Sequence, residues 1–180
     1  MRRFEISSEL NASAEEVWEH ATSPAGVNYE MSPWLRMTFP PDARSVTESW
    51  APARTLFRSW LLVGGVLPLE YDDVAFVAVE PGRRFLERSV LLSQRVWEHE
   101  RLIEPLAPSE PSDPAPAVAA DHAPVRGCRV TDRLGFEPRI AAFGAVYGAI
   151  FRQVFAHRHR RLRKRFGERR SVQAGAGRRR

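Results

Sequence analysis

The chain has 180 residues, the size of one domain, and 43% of them are hydrophobic with five tryptophans among them, enough apolar surface for a real core. No run reaches the roughly 18 apolar residues of a membrane-spanning helix, and the single cysteine, Cys128, excludes an internal disulfide and any metal site built on several thiolates. The net charge of +5 is segregated: residues 1–156 carry 16 Arg against 21 Asp and Glu, whereas residues 157–180 carry 10 Arg and Lys164 against one Glu.

In chain order, Phe4, Ile6, Ser8 and Leu10 alternate with Arg3, Glu5, Ser7 and Glu9, the period-two pattern of a half-buried strand over residues 3–10. Asn11 or Ser13 caps a short helix with Glu15 and Glu16 in its first turn and Val17, Trp18 and Ala21 on its buried face. Pro24 opens a second short helix through Val27 and Tyr29, and Pro33 closes it. Strands are expected over 34–39 and 55–63, with a loop over 42–53 between them. Gly64-Gly65 reads as a turn, 66–80 as strand, and Pro81-Gly82 as a second turn. Residues 84–92 and 95–104 form an expected antiparallel pair. The proline-rich stretch 105–124 reads as a flexible loop, and 127–137 as the last strand.

A long helix is expected over 139–166. Ile140, Phe143, Tyr147, Ile150, Phe151, Val154, Phe155, Leu162 and Phe166 recur at threes and fours and draw an apolar stripe. Ala141, Gly144, Ala145 and Gly148 form a patch of small residues on its first turns, expected to face the sheet opposite Trp97 and His99. Glycine inside a helix costs roughly 1 kcal/mol against alanine, so close packing or room for a ligand should offset it. A disordered basic tail is expected over 167–180.

One strand, two short helices, a meander of strands and a terminal helix make an α+β sheet wrapped on a helix. This order resembles the START-like, or SRPBCC, superfamily, which includes polyketide cyclases and lipid-transfer domains. Phe4-Glu5-Ile6 leading to Ala14-Glu15-Glu16-Val17-Trp18 is similar to its opening strand and first helix. Glu80-Pro81-Gly82 before Arg84-Phe85-Leu86-Glu87 resembles its mid-sheet turn. Trp97-Glu98-His99-Glu100-Arg101 resembles the W-x-H-x-H strand of a bacterial branch, with Arg101 in place of the second histidine. Arg129-Val130-Thr131-Asp132-Arg133 resembles the last strand, and Ala156 to Leu162 the basic end of the last helix. The resemblance implies a helix-grip fold over 1–166, with a curved antiparallel sheet of about six or seven strands. It also implies a cavity between sheet and helix for a hydrophobic or amphipathic small molecule, lipid-like or polyketide-like, with no cofactor.

Trp97, His99 and Arg101 stand at i, i+2 and i+4 of one strand and share a face, and Asp132 shares a face with Cys128, Val130, Leu134 and Phe136 on the next. Facing inward, His99, Arg101 and Asp132 would need one another as partners. They would serve as a polar anchor for a ligand, as a general acid–base pair formed by His99 and Asp132, or as a structural network fixing strand register. The ligand-binding set expected around them adds Trp60, Tyr71, Phe85, Trp97 and Phe136 from the sheet. Phe143, Gly144, Tyr147 and Gly148 join from the helix.

Glu70, Asp72 and Asp73 around Tyr71 read as a solvated strand end, and the five histidines show no zinc spacing, so no metal site is expected. The basic end has no interleaved aromatics, which argues against specific nucleic-acid binding and leaves weak binding to an anionic surface. Three readings follow: a small-molecule binder, a cofactor-independent aromatase/cyclase-type enzyme, and an interaction protein docking through its basic end. A cytoplasmic monomer or homodimer is expected, since no apolar signal-peptide core follows Met1-Arg2-Arg3.

Overall fold

A computed structural model describes residues 1–47, 54–107 and 127–169. Strand β1 (Arg2–Leu10) leads into α1 (Ala14–Thr22), whose start is fixed by a capping box: Glu16 N donates to Ser13 Oγ at 3.2 Å and Ser13 N donates to Glu16 Oε2 at 2.9 Å. Ser23 ends α1 and caps α2 (Pro24–Met31), its hydroxyl accepting from Gly26 N at 3.0 Å. The two helices therefore cross with almost no linker. A Cβ on Gly26 would lie 1.8 Å from the carbonyl oxygen of His20, so only glycine fits the crossing.

Seven further strands follow: β2 (Leu35–Met37), β3 (Phe57–Val63), β4 (Leu67–Val74), β5 (Phe76–Glu80), β6 (Arg84–Leu91), β7 (Gln94–Pro105) and β8 (Cys128–Pro138). All pairings are antiparallel, in the order β1-β8-β7-β6-β4-β3-β2, with β5 also pairing β6. Gly64 and Gly65 turn the β3–β4 hairpin at φ 59° and 79°, a region that other residues adopt only with strain. A 3₁₀ turn (Ala141–Phe143) then leads into α3 (Gly144–Phe166). This is an α+β helix-grip arrangement, a curved sheet wrapped on its C-terminal helix.

Inward residues of β1, β7 and β8 meet α3 in two apolar clusters. Leu10, Val17, Ile103, Cys128, Val130 and Leu162 fill one end, and Leu91, Trp97, Leu134, Phe136 and Phe155 fill the other. Outward residues form a charge ladder in which Arg84 and Arg133 both reach Glu100, and Arg133 also reaches Glu5. The apolar stripe expected on the terminal helix is narrower than its spacing suggests. Phe155 and Leu162 are buried, but Ile140, Phe143 and Ile150 are exposed, because the sheet covers only one side of the helix's first half.

The small residues there are divided as well. Gly148 packs on Phe136 and Gly144 beneath Arg2, while Ala141 and Ala145 face outward. After α3 the chain stays on β1 for three residues, with Asn11 N donating to Gly167 O and Arg169 N to Glu9 O. The expected basic tail is outside the described residues from 170 onward, as is the expected proline-rich loop from 108. No helix among the described residues is long and apolar enough to cross a membrane.

Two alanine substitutions should separate the roles of the helical glycines. Gly26→Ala should lower stability by at least about 1–3 kcal/mol, because a methyl group cannot enter the α1–α2 crossing. Gly148→Ala should instead raise it by about 0.5–1 kcal/mol, since its Cβ would meet Phe136 and Arg152 at an ordinary 3.5 Å. Urea unfolding of both variants reads the difference, and a destabilised Gly148→Ala would mean the helix needs closer approach there.

Candidate functional site

The interior holds an unusual amount of charge. Arg101, Glu30, Asp132 and His159 are fully buried, and His99, Arg158 and Glu87 nearly so. They come from α2, β6, β7, β8 and α3 and meet where the helix crosses the sheet.

Arg101 is the hub. Its Nε and Nη2 donate to Asp132 Oδ1 and Oδ2 at 2.8 and 2.7 Å, while Nη1 and Nη2 donate to Glu30 Oε1 and Oε2 at 2.9 and 3.0 Å. A guanidinium has five donor hydrogens in a fixed planar fork, and this one uses four of them on two carboxylates. Arg158 of α3 closes the second carboxylate, with Nε and Nη2 each 2.9 Å from Glu30 Oε2. Two arginines and two carboxylates thus balance in a volume that excludes water.

Asp132 takes two further hydrogen bonds. His99 Nε2 lies 2.9 Å from Oδ1 and His159 Nε2 lies 3.0 Å from Oδ2. Each oxygen therefore accepts two hydrogens, which spends the capacity of the carboxylate. Burial, the largest single influence, pushes this carboxyl upward, but the Arg101 charge and the bonds from Arg101, His159 and His99 hold it well below the usual carboxylate range. The histidine on α3 is fixed by what lies behind it. Arg163 Nη1 donates to Ser8 Oγ at 2.7 Å, and Ser8 Oγ lies 2.8 Å from His159 Nδ1. His159 Nε2 faces an acceptor-only carboxylate and so carries a ring hydrogen that it donates to Asp132.

Beside this network lies a small cavity of about 50 Å³. Ala21, Val27 and Met31 of α1 and α2 form one wall, and Phe57, Val74, Phe76 and Phe85 of the sheet form another. Met37, Phe39 and Val46 cover it, and Glu87, His99 and Arg158 are its polar side. His99 Nδ1 stands 3.6 Å from Glu87 Oε2, and Glu87 Oε1 accepts from Ser89 Oγ at 2.7 Å. Next to Glu87, burial and then the Glu87 carboxylate push Asp72 well above the usual range.

Of the residues expected at a ligand site, the structure brings together Phe85, Trp97, His99, Arg101, Asp132 and Phe136 on the inner face, with Gly148 and the half-buried Tyr147 of α3 over Trp97 and Phe136. Only Phe85 and His99 of these line the cavity. Trp60 and Tyr71 pair across β3 and β4 on the outer face, with the Arg58 guanidinium 4.2 Å from the Tyr71 ring, because Ser59 and Asp72 take the inner positions. Phe143 is exposed, and Gly144 is occupied by Arg2.

The reading of 70, 72 and 73 as a solvated strand end does not hold for Asp72, which faces inward and is buried. Nor is the region 157–165 a solvated helix end, since His157, Arg158 and His159 are buried and Arg161 stacks 4.0 Å over Tyr29. Sequence reasoning missed Glu30, Arg158, His159 and Glu87. A signal existed for His159, which sits four residues after Phe155 and three before Leu162, on the buried stripe. Cys128 is a core residue, and burial pushes its thiol up to about 11, so it is no nucleophile at neutral pH. Among the described residues, no group of three or more His, Cys, Asp and Glu is placed to hold a metal.

A family model described as Domain of unknown function (DUF8410) matches residues 8–166. No curated protein matches the sequence. Similar solved structures include a START superfamily protein from Mycobacterium smegmatis, with TM-score 0.58, 14% identity, and coverage of 91% of this chain and 96% of that one. Protein CV1439 from Chromobacterium violaceum matches at TM-score 0.57 and 10% identity, over 94% of this chain and 100% of that one. DynU16, a protein in the dynemicin biosynthetic locus, matches at TM-score 0.50 and 14% identity over 93% of this chain, which spans only 49% of DynU16. At these identities the likeness is one of fold, and the fold is START-like.

Two substitutions test the network. Arg101→Met leaves Glu30 and Asp132 without their main partner and should cost about 3–5 kcal/mol in urea unfolding; a loss under about 1 kcal/mol would show that the charges are not buried together. Asp72→Asn should act in a pH-dependent way. A carboxyl whose folded pKa is raised stabilises the fold below its unfolded value near ~4 and loses that contribution as pH rises through the folded value. The asparagine variant should therefore gain on the natural chain as pH rises above the unfolded value near ~4. An offset that is constant with pH would contradict the assignment.

Proposed function

Since the chain belongs to the family described as Domain of unknown function (DUF8410) and has a START-like fold, we propose that it binds a hydrophobic or amphipathic small molecule between sheet and C-terminal helix. The observation that carries this reading is the asymmetry of the small cavity. Three of its sides are apolar, and the fourth presents Glu87, His99 and Arg158. Apolar walls with a few convergent polar groups are the usual form of a small-molecule site.

The polar side suggests the ligand's chemistry. Arg158 spends Nε and Nη2 on Glu30 and keeps Nη1 for an acceptor. A hydroxyl placed at the 3.6 Å gap between His99 Nδ1 and Glu87 Oε2 reaches both. A ligand with a hydroxyl or carbonyl on an apolar skeleton fits that pattern. At about 50 Å³ the cavity is far below the roughly 300–1,000 Å³ of a drug-sized site. The cavity must therefore widen to admit such a ligand.

A proton-transfer reading rests on His99 with Glu87. Asp132, expected to share that work, has every acceptor position filled by the protein itself and acts through His99 by holding its ring.

Native mass spectrometry of the purified chain, together with titration of an apolar fluorescent dye, tests the proposal. A co-purified molecule or saturable dye uptake is expected, and His99→Ala should weaken dye binding by about 1–2 kcal/mol. Under the proton-transfer reading, the same variant keeps its affinity and loses turnover by about 10²–10⁴-fold. No bound molecule, no uptake, and an unfolded His99→Ala chain together would make the network a structural device and overturn the binding reading.

A further inference from the structure

A second recess lies away from that cavity, where the start of β1 meets the first turns of α3. It has a volume of about 310 Å³ and is lined by Arg2, Arg3, Phe136, Ala145, Gly148 and Arg152. Three of these six residues are arginines and none is acidic.

The positions of the arginines follow from the register. Arg2 pairs with Phe136 across β1 and β8, so it shares the inner side of the sheet with Phe4 and reaches under the helix. Its Nε would lie 2.7 Å from a Cβ on Gly144, the first residue of α3. Arg152, two turns further along the helix, sets its guanidinium 5.3 Å from the Phe4 ring. Arg3 has an acidic neighbour, Glu98, at 3.6 Å. Among the described residues, neither Arg2 nor Arg152 has an ion-pair partner. Many arginines elsewhere are paired, Arg58 with Asp73, Arg84 with Glu100, Arg88 with Glu98, Arg129 with Glu9, and Arg133 with Glu5, while exposed Arg36 and Arg160, like Arg2 and Arg152, have no ion-pair partner among the described residues.

The surroundings add to the imbalance. α3 has 23 residues, no acidic residue in its first turn and no side-chain cap on its N-terminus. The recess itself runs along the flank of this helix at Ala145, Gly148 and Arg152, and an anion there would gain from the two unpaired cations. The floor is apolar, made by the edge of Phe136, Ala145 and the bare backbone at Gly148. At about 30 Å³ per water molecule, the volume equals about ten waters, more than a lone phosphate requires.

We propose that this recess binds a carboxylate or phosphate group carried on a small apolar body. Arg2 and Arg152 hold the charge, and Phe136, Ala145 and Gly148 seat the apolar part. The site is independent of the cavity beside His99 and does not rest on the function assigned there.

The test is a titration of the full ¹⁵N-labelled chain with inorganic phosphate and, separately, with hexyl phosphate, following backbone amides by NMR. Site-resolved signals are needed because the arginines of residues 170–180 attract anions in any case. Hexyl phosphate should move the Gly144 and Gly148 amides saturably and bind more tightly than inorganic phosphate. The double variant R2Q/R152Q replaces two exposed side chains without ion-pair partners, so its spectrum should stay that of a folded chain. Its affinity for hexyl phosphate should fall at least about tenfold. R2K/R152K, which keeps both charges, should recover part of that affinity. Equal affinity for the two phosphates would overturn the apolar part of the proposal. Still amides at Gly144 and Gly148, or unchanged shifts in R2Q/R152Q, would overturn all of it.

Discussion

One guanidinium holds the two halves of this fold together. Arg101 stands on the central strand of the sheet and binds a carboxylate on each side of it, Asp132 from the neighbouring strand and Glu30 from α2. Glu30 in turn binds Arg158 of α3, and Asp132 binds His159 of the same helix. A charge this deep is costly unless paired, so each member requires the others in place. The long helix is fastened to the sheet by directional bonds as well as by its apolar stripe. That fixes its rotation and depth more sharply than aromatic packing alone could.

The same arrangement divides the polar interior into groups that are spent and groups that are not. Asp132 and Glu30 are spent on arginine and histidine. Glu87, His99 and one arm of Arg158 border an apolar space and retain hydrogen-bonding capacity toward it. The functional proposal depends on this division. A fully satisfied network needs no ligand, whereas a polar edge left against an apolar wall is where a hydroxyl or carbonyl gains most.

Much of this was legible in the sequence where a short period governs. Alternation alone placed Trp97, His99 and Arg101 on one face and Asp132 on the facing strand, because neighbouring positions on a strand leave no third choice. The helix cap, left between Asn11 and Ser13, and the Gly64-Gly65 turn were equally local. Glu30 was not legible. It lies on an eight-residue helix with little amphipathic character, and its burial comes from Arg101, 71 positions away. Arg158 and His159 were hidden by composition, since a run rich in arginine reads as solvent-facing until a buried carboxylate is known to wait for it. Trp60 and Tyr71 misled in the opposite sense: large aromatics suggest an interior wall, yet the register of β3 and β4 gives the inner positions to Ser59 and Asp72 and leaves the two rings to meet edge-to-face outside.

The central claim is that Arg101 is buried, charged and bonded to two carboxylates at once. Hydrogen exchange at its side-chain Nε–H, followed by ¹⁵N NMR at neutral pH, tests this most directly. A solvent-exposed arginine Nε–H exchanges too quickly to give a persistent signal. The account predicts a sharp Arg101 Nε–H resonance that outlasts those of Arg58 and Arg129, which each bind a single carboxylate at the surface, and that exchanges no faster than the amides of β7. An Arg101 signal that exchanges as fast as the surface arginines would contradict it.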